Sequence, residues 1–137
     1  MLSEAERLFL SRRRVGYLST ADFSGAPHLV PICFAAADAA LYSAIDEKPK
    51  SGLILKRVKN ILENPRVAFL ADHYDENWSR LAWLRLDGHA ELLAEGPERD
   101  DAIGLLRTRY AQYQAMQLSA VIAIRVLDVR SWGDLSQ

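Results

Sequence analysis

The sequence contains a single cysteine and no long hydrophobic run. Cys33 cannot form an intrachain disulfide on its own, which fits a reducing compartment. No apolar stretch approaches the roughly 20 residues that a membrane-spanning helix needs. The first residues carry acids before arginines, the reverse of the charge order in a secretory signal. We therefore expect a cytoplasmic protein that does not bind membranes.

Motifs that hold metals, nucleotides or hydrolytic nucleophiles are missing. The three histidines, His28, His73 and His89, are widely spaced and do not predict a zinc site. The seven glycines form neither the G-x-G-x-x-G pattern of dinucleotide-binding loops nor the G-x-x-x-x-G-K-[ST] pattern of triphosphate-binding loops. No G-x-S-x-G nucleophile elbow is present. An enzyme with this sequence would need a cofactor to carry its reaction.

Neither sign of charge is in excess over the whole chain. The formal net charge is −1 over 137 residues, which provides no overall field to attract nucleic acid. Hydrophobic residues make up 50% and charged residues 26%, and both values are typical of a folded globular domain. A chain of this length fits one domain, so we expect residues 1–137 to share one core.

Alternation of apolar residues predicts a mainly β protein. Six segments have the period of strands: residues 15–20, 27–36, 40–45, 66–71, 81–93 and 120–129. Helices are predicted at residues 3–14, at residues 50–63 and from Pro97 onward. Pro31 in the second strand predicts a sheet edge or a bulge, and Gly88 predicts a bulge or kink in the fifth. Because strands and helices do not alternate one by one, this order favours a six-stranded antiparallel barrel with appended helices.

Positive charge is concentrated between Leu41 and Leu70. This segment reads as strand, basic loop, short helix, Asn-Pro turn and strand. Its basic residues are Lys48, Lys50, Lys56, Arg57, Lys59 and Arg66. The unpaired N–H groups of a helix N-terminus, flanked by lysine or arginine, are a favourable place for an anion. We therefore predict that the start of this helix binds a phosphate, with a solvated polar helix face as the alternative.

The predicted second helix has two chemically different faces. Its apolar stripe consists of Ile54, Val58, Ile61 and Leu62. At 100° per residue, Lys56, Arg57 and Asn60 share the opposite face. This arrangement predicts that the cations and the amide face the bound anion rather than the core.

A polar loop after the fourth predicted strand supplies further candidates. His73, beside Asp72 and Tyr74, is a candidate proton donor at neutral pH, with an ordinary loop residue as the alternative. Trp78 follows the loop and offers a flat surface on which a cofactor ring could stack. Trp83 lies in an apolar strand, which favours a place in the core or an interface.

Four segments in order resemble the pyridoxamine-phosphate-oxidase-like split β-barrels, which bind FMN or the deazaflavin coenzyme F-420. They are Leu18-Ser19-Thr20-Ala21, the GAPHLVP run at 25–31, Leu41-Tyr42-Ser43, and Asn64-Pro65-Arg66-Val67-Ala68. The likeness extends over residues 5–130. It implies a six-stranded antiparallel split β-barrel that forms a homodimer, with the cofactor in a groove between the subunits.

The resemblance also implies which residues hold the cofactor. In the family a basic pair eight or nine residues before the proline of the Asn-Pro turn grips the phosphate, and here that pair is Lys56 and Arg57. The other implied contacts are Lys59, Asn60, the strand residues Val30, Pro31, Ser43 and Ala44, and, toward a cofactor held mainly by the partner chain, Trp78 and Arg80. The cofactor carries the chemistry, so no catalytic side chain is implied apart from the candidate His73.

The segment from Asp46 to Ile54 is longer than in the oxidases and adds Lys48 and Lys50. Together with Asp72-His73-Tyr74, Trp78-Ser79-Arg80-Leu81 and Trp83-Leu84-Arg85, this segment is similar to an actinobacterial subgroup expected to use the deazaflavin. The resemblance thus implies hydride transfer from reduced F-420 to a small unsaturated organic substrate, with FMN as the alternative cofactor. A module that binds flavin or haem without turnover is a further alternative. The Arg-x-His substrate element of true pyridoxamine-phosphate oxidases is absent near the C-terminus, so vitamin B6 oxidation is not implied.

Overall fold

Antiparallel strands form most of the fold. The computed structural model describes residues 1–45 and 55–137. Its helices and strands are α1 (Glu4–Ser11), β1 (Gly16–Ala21), β2 (Pro27–Ile32), β3 (Ala35–Ala36), β4 (Ala40–Ile45), α2 (Lys56–Glu63), β5 (Arg66–His73), β6 (Ala82–Leu93), α3 (Pro97–Arg109) and β7 (Ala120–Gly133). The strands pair in the order β2-β1-β5-β6-β7-β4-β3, and every pairing is antiparallel. The sheet curls into a half-barrel with helices appended, which confirms the predicted fold class.

The described part of the chain has seven strands, whereas the sequence predicts six. The single strand predicted over residues 27–36 is wrong, because these residues form β2 and β3 at opposite edges of the sheet. At the break, the Tyr110 hydroxyl replaces a neighbouring strand: it accepts a hydrogen bond from the Phe34 backbone N (3.1 Å) and lies 3.0 Å from the Phe34 carbonyl oxygen. Ile32 and Phe34 are both buried, so the apolar alternation continues through the break and hides it.

Two glycines mark irregular places in the long β6–β7 pair. The register shifts between Asp87 and Gly88, which confirms the bulge predicted at Gly88. The last strand extends to Gly133, four residues beyond its predicted end at residue 129. Gly133 has φ +87°, and a Cβ there would lie 2.1 Å from the Leu81 carbonyl oxygen. Only glycine fits this close approach of the two strands.

The core has two parts on opposite faces of the sheet. The inner part fills the half-barrel with large apolar side chains such as Leu18, Phe69 and Leu86. The outer part lies where α3 covers β4 and β7, with Leu106 and Tyr42 among its members. Within the two described ranges, no helix has the length and apolar character needed to cross a membrane.

A charged cluster fixes α3 to the outer face of the sheet. Arg125 on β7 donates to Glu98 (Nη2 to Oε1, 2.8 Å) and also pairs with Glu91. The Tyr42 hydroxyl donates to Glu98 Oε2 at 2.7 Å. The hydrogen bonds from Arg125 and Tyr42 lower the pKa of Glu98 to about 2. Burial, followed by the bond to Glu98, raises the pKa of Tyr42 to about 12.

The substitution Glu98→Gln is expected to make folding stability less sensitive to acid. Since the pKa of folded Glu98 lies below its usual 4.5, the charged group stabilises the fold fully above pH 4.5 and loses this effect as the pH falls toward 2. The Glu98 side chain is 41% exposed, so solvent screening limits the effect to about 0.2–1 kcal/mol. Urea unfolding at neutral and acidic pH measures it. If the wild type and the variant lose the same unfolding free energy between neutral and acidic pH, the prediction is contradicted.

Candidate functional site

The start of α2 is the centre of the candidate site. The helix begins at Lys56, and its N-cap residue, Leu55, makes no side-chain hydrogen bond to the first turn. Among the described residues, the N-cap side chain therefore provides no acceptor for the first N–H groups of the helix, which suit an additional acceptor. Lys48 and Lys50, predicted to flank this helix start, lie outside the described residues.

Arg57 is the most informative residue of this helix. Its side chain is half-buried, and its Nε is enclosed with no hydrogen-bond partner in the described structure. No described carboxylate forms an ion pair with it within residues 1–45 and 55–137. Enclosing a guanidinium N–H without an acceptor is unfavourable. The surroundings of Arg57 are thus suited to an additional anionic group.

The other basic residues of α2 point into solvent. Lys56 lies 4.0 Å from Asp22 Oδ2, the upper limit of an ion pair, and Lys59 is exposed. Asp22 belongs to the β1–β2 turn, where the Ser24 hydroxyl and the Ala26 backbone N–H lower the pKa of its carboxyl. Because the Lys56–Asp22 pair is long and exposed, it costs little to exchange for another anion.

Asn60 lies in the core, which corrects the predicted division of the helix. It is 0% exposed, and its Nδ2 donates to Thr20 Oγ1 at 3.0 Å. Leu62, assigned to the buried stripe, is instead 65% exposed. The helix is rotated relative to the predicted faces because its packing against β1 buries Asn60 and Ile61. Arg57, three residues before Asn60 and four before Ile61, therefore lies on the same side of the helix as these buried residues.

Sequence reasoning missed the polar contacts beneath α2. Thr20 and His28 lie opposite each other on β1 and β2, and both face inward with Leu18. The Oδ1 of Asn60 and the Nδ1 of His28 are enclosed and find no partner in the described chain. The alternation of β1 already indicates that Thr20 faces inward, because Thr20 is two residues from the buried Leu18 and lies on the same face of the strand.

The predicted strand contacts lie at the ends of β2 and β4. Val30 is half-buried and Pro31 is exposed on the edge strand β2, which confirms the predicted edge position of the proline. Ser43 and Ala44 are buried in β4. After β2 the chain enters β3, where Ala35 lies opposite Tyr42 and Ala36 lies opposite Leu41 on β4.

His73, Trp78 and Arg80 lie at the other end of the half-barrel. Strand β5 runs from Arg66, next to the end of α2, to His73, and its eight residues span about 23 Å. His73 is half-buried, and its Nε2 has no described partner. Arg80 pairs with Asp75 at 3.5 Å. Within one chain, the structure separates these residues from Arg57.

Trp78 is well placed to contact a second molecule. It is 69% exposed, and its indole Nε1 makes a long hydrogen bond, 3.4 Å, to the Tyr74 hydroxyl.

In the part of the chain that the structure describes, His, Cys, Asp and Glu side chains form no cluster suited to a metal ion.

Comparison with known proteins agrees with this architecture. The sequence model of the family described as pyridoxamine 5'-phosphate oxidase matches residues 2–133. No curated protein matches the chain.

Several solved structures share the fold. A conserved hypothetical protein from Mycobacterium tuberculosis is 25% identical with a TM-score of 0.75, and the match covers 97% of this chain and 86% of that one. HutZ, the haem storage protein from Vibrio cholerae, is 17% identical with a TM-score of 0.72 and coverages of 97% and 95%. An FAD-binding protein from Mesorhizobium loti is 24% identical with a TM-score of 0.69 and coverages of 90% and 87%.

The matched region includes the half-barrel, α2 with its Asn-Pro turn, and all of β7. Since the family model covers nearly the whole sequence, the chain belongs to the pyridoxamine 5'-phosphate oxidase family.

Proposed function

We propose that this protein is an oxidoreductase that binds the phosphate of a flavin-type cofactor at the start of α2. The cofactor we propose is reduced F-420, and the reaction is hydride transfer to a small unsaturated organic substrate. The observation that carries the proposal is the enclosed Nε of Arg57, which has no acceptor in the described structure. A phosphate oxygen would supply that acceptor.

The electrostatics around Arg57 favour an anion over a neutral ligand. Hydrogen bonds between guanidinium and phosphate are charge-assisted and about twice as strong as neutral ones. The uncapped N–H groups of α2 add the positive end of the helix dipole. Lys56 and Lys59 are exposed on the same helix and can meet further negative charge, such as the polyglutamate tail of F-420. Lys48 and Lys50 are proposed to extend this cationic region.

The redox chemistry belongs to the cofactor, which supplies hydride from C5 of the reduced deazaflavin ring. The side chains of α2 hold the anionic tail, and the backbone of Val30–Pro31 and Ser43–Ala44 is proposed to lie against the ring. Protonation of the product is assigned to solvent or to His73.

A homodimer would complete this site. The outer face of the strands away from α3 exposes apolar side chains, among them Tyr17, Leu29 and Trp132. An apolar face of this kind is typical of a surface that is covered in the assembled protein. A second copy placed there could bring its own Trp78 and Arg80 to a cofactor held by the first, which accounts for their distance from Arg57 within one chain.

Titration of the purified protein with F-420, FMN and FAD tests the choice of cofactor. We expect F-420 to bind most tightly, and we expect the reduced form to be oxidised only when an unsaturated acceptor is present. Tighter binding of FMN would overturn the deazaflavin assignment but leave the flavin-type site in place. Absence of binding by all three would overturn the proposed function.

Haem binding without turnover is a second candidate because His73 has an enclosed Nε2 with no described partner. Neutral imidazole is a common axial ligand of haem iron. HutZ, which shares this fold, is a haem storage protein. A Soret band that appears on adding haem and disappears in the His73→Ala variant would favour this candidate; a band that persists would reject His73 as the ligand.

A further inference from the structure

A cavity of about 240 Å³ lies between α1 and α3, away from the start of α2. Its floor is β3 with the preceding Phe34, and its walls come from the two helices. The lining residues used below are Leu10, Ser11, Ala36, Leu105, Thr108 and Arg109. The cavity is smaller than the usual 300–1,000 Å³ of ligand pockets, so it suits a single-ring molecule.

Ala36 lines this cavity and has a backbone donor and acceptor that β4 does not use. In β4, Leu41 lies opposite both Ala36 and Ile124. Ala39 lies just before β4, and its carbonyl oxygen accepts a hydrogen bond from the Val126 backbone N on β7. The backbone N–H and C=O groups of the odd-numbered residues here therefore point toward β7. Leu41 therefore makes no backbone bonds to Ala36, and the N–H and C=O of Ala36 point away from β4. Neither has a partner among residues 1–45 and 55–137.

Phe34, two residues before Ala36, shows how a backbone N–H and C=O at this sheet edge can find partners. The Tyr110 hydroxyl accepts from the Phe34 N–H and lies within hydrogen-bond distance of its C=O. The Tyr110 hydroxyl thus occupies that position of the sheet edge, with its single proton within reach of both the Arg14 carbonyl (2.9 Å) and the Phe34 carbonyl (3.0 Å). At Ala36 a cavity takes the place of such a group.

Most other polar groups of the cavity are bonded within the protein. Arg109 donates to the Ser11 and Arg13 carbonyl oxygens, and its guanidinium lies over the Phe34 ring, but its Nε is buried without a partner in the described structure. The Ser11 and Thr108 hydroxyls donate to carbonyls of their own helices. Arg7, at the rim, is paired with Asp38 at 2.9 Å.

We propose that this cavity binds a small molecule that carries a carboxamide or lactam group on an apolar ring. Its N–H bonds to the Ala36 carbonyl, its C=O accepts from the Ala36 N–H, and its ring packs against Leu10 and Leu105. A peptide strand is disfavoured because β3 offers only one free position before Tyr110 closes the edge. The proposal does not rest on cofactor binding at Arg57, so each can fail without the other.

Titration of the ¹⁵N-labelled protein with benzamide tests the proposal. We expect the largest amide shifts at Ala36 and at the residues lining the cavity. N,N-dimethylbenzamide, which has no N–H, should bind about tenfold more weakly, a loss of 1.4 kcal/mol. Equal binding of the two amides, or benzamide shifts located elsewhere, would overturn it.

A pair of variants places the binding in the cavity. Leu105 and Leu8 are exposed to similar extents, 44% and 47%, but only Leu105 lines the cavity. Leu105→Trp is expected to abolish benzamide binding, whereas Leu8→Trp should leave it unchanged. Retention of wild-type affinity by folded Leu105→Trp would contradict the assignment.

Discussion

Replacing Arg57 with alanine is expected to weaken cofactor binding by about 1.5–3 kcal/mol, or roughly 10- to 150-fold in Kd. The guanidinium is half-buried, and its Nε is enclosed without a described partner, so a bound phosphate would gain a desolvated, charge-assisted hydrogen bond there. Isothermal titration of wild type and variant with F-420, and separately with FMN, measures the loss.

Arg12→Ala is the matched control for this experiment. Arg12 is exposed at the end of α1, far along the chain from α2, and takes no part in the proposed site. The substitution removes the same charge as Arg57→Ala but no contact to the phosphate. We therefore expect the cofactor Kd of the Arg12→Ala variant to equal that of wild type. If Arg57→Ala also binds with unchanged Kd, the phosphate lies elsewhere and the assignment of the α2 site is wrong.

The largest expected loss of stability comes from Phe69→Ala, at about 3–5 kcal/mol. Phe69 is fully buried inside the half-barrel, and its ring packs edge-on against Phe34 with 4.9 Å between centroids. Gly16 leaves room for this ring, since a Cβ at Gly16 would lie 2.2 Å from Phe69 Cζ. Removing the ring would therefore open a cavity that these neighbours cannot refill.

Phe23→Ala provides the comparison, because Phe23 is 84% exposed at the tip of the β1–β2 turn. The same atoms are deleted, but the change in unfolding free energy should stay within about 0.5 kcal/mol. Urea unfolding at a fixed protein concentration measures both variants. A Phe69→Ala loss as small as that of Phe23→Ala would show that the described inner core is wrong.

The sequence predicts the fold class well because its strands keep a clear period of two. The Gly88 bulge and the edge position of Pro31 are confirmed for the same local reason: each residue restricts its own backbone. The break between β2 and β3 could not be predicted, since it depends on the Tyr110 hydroxyl, 76 residues away in sequence from Phe34.

The candidate site is predictable in its charge but not in its packing. The local excess of lysine and arginine identifies α2, but the helical wheel places Asn60 on the polar face although its amide is buried against Thr20. The wheel treats the helix as if it stood alone, and the choice of buried face depends on the strands beneath it. The separation of His73 from Arg57 likewise depends on the length of β5, which is a property of the whole sheet.

One comparison tests most directly whether Arg57 holds the phosphate of a flavin-type cofactor. Binding of FMN and of riboflavin, which lacks the phosphate, is measured for wild type and for Arg57→Ala. We predict that wild type prefers FMN and that this preference falls by roughly 10-fold or more in the variant, since only the phosphate contact is lost. An FMN preference that is the same in both proteins would contradict the account.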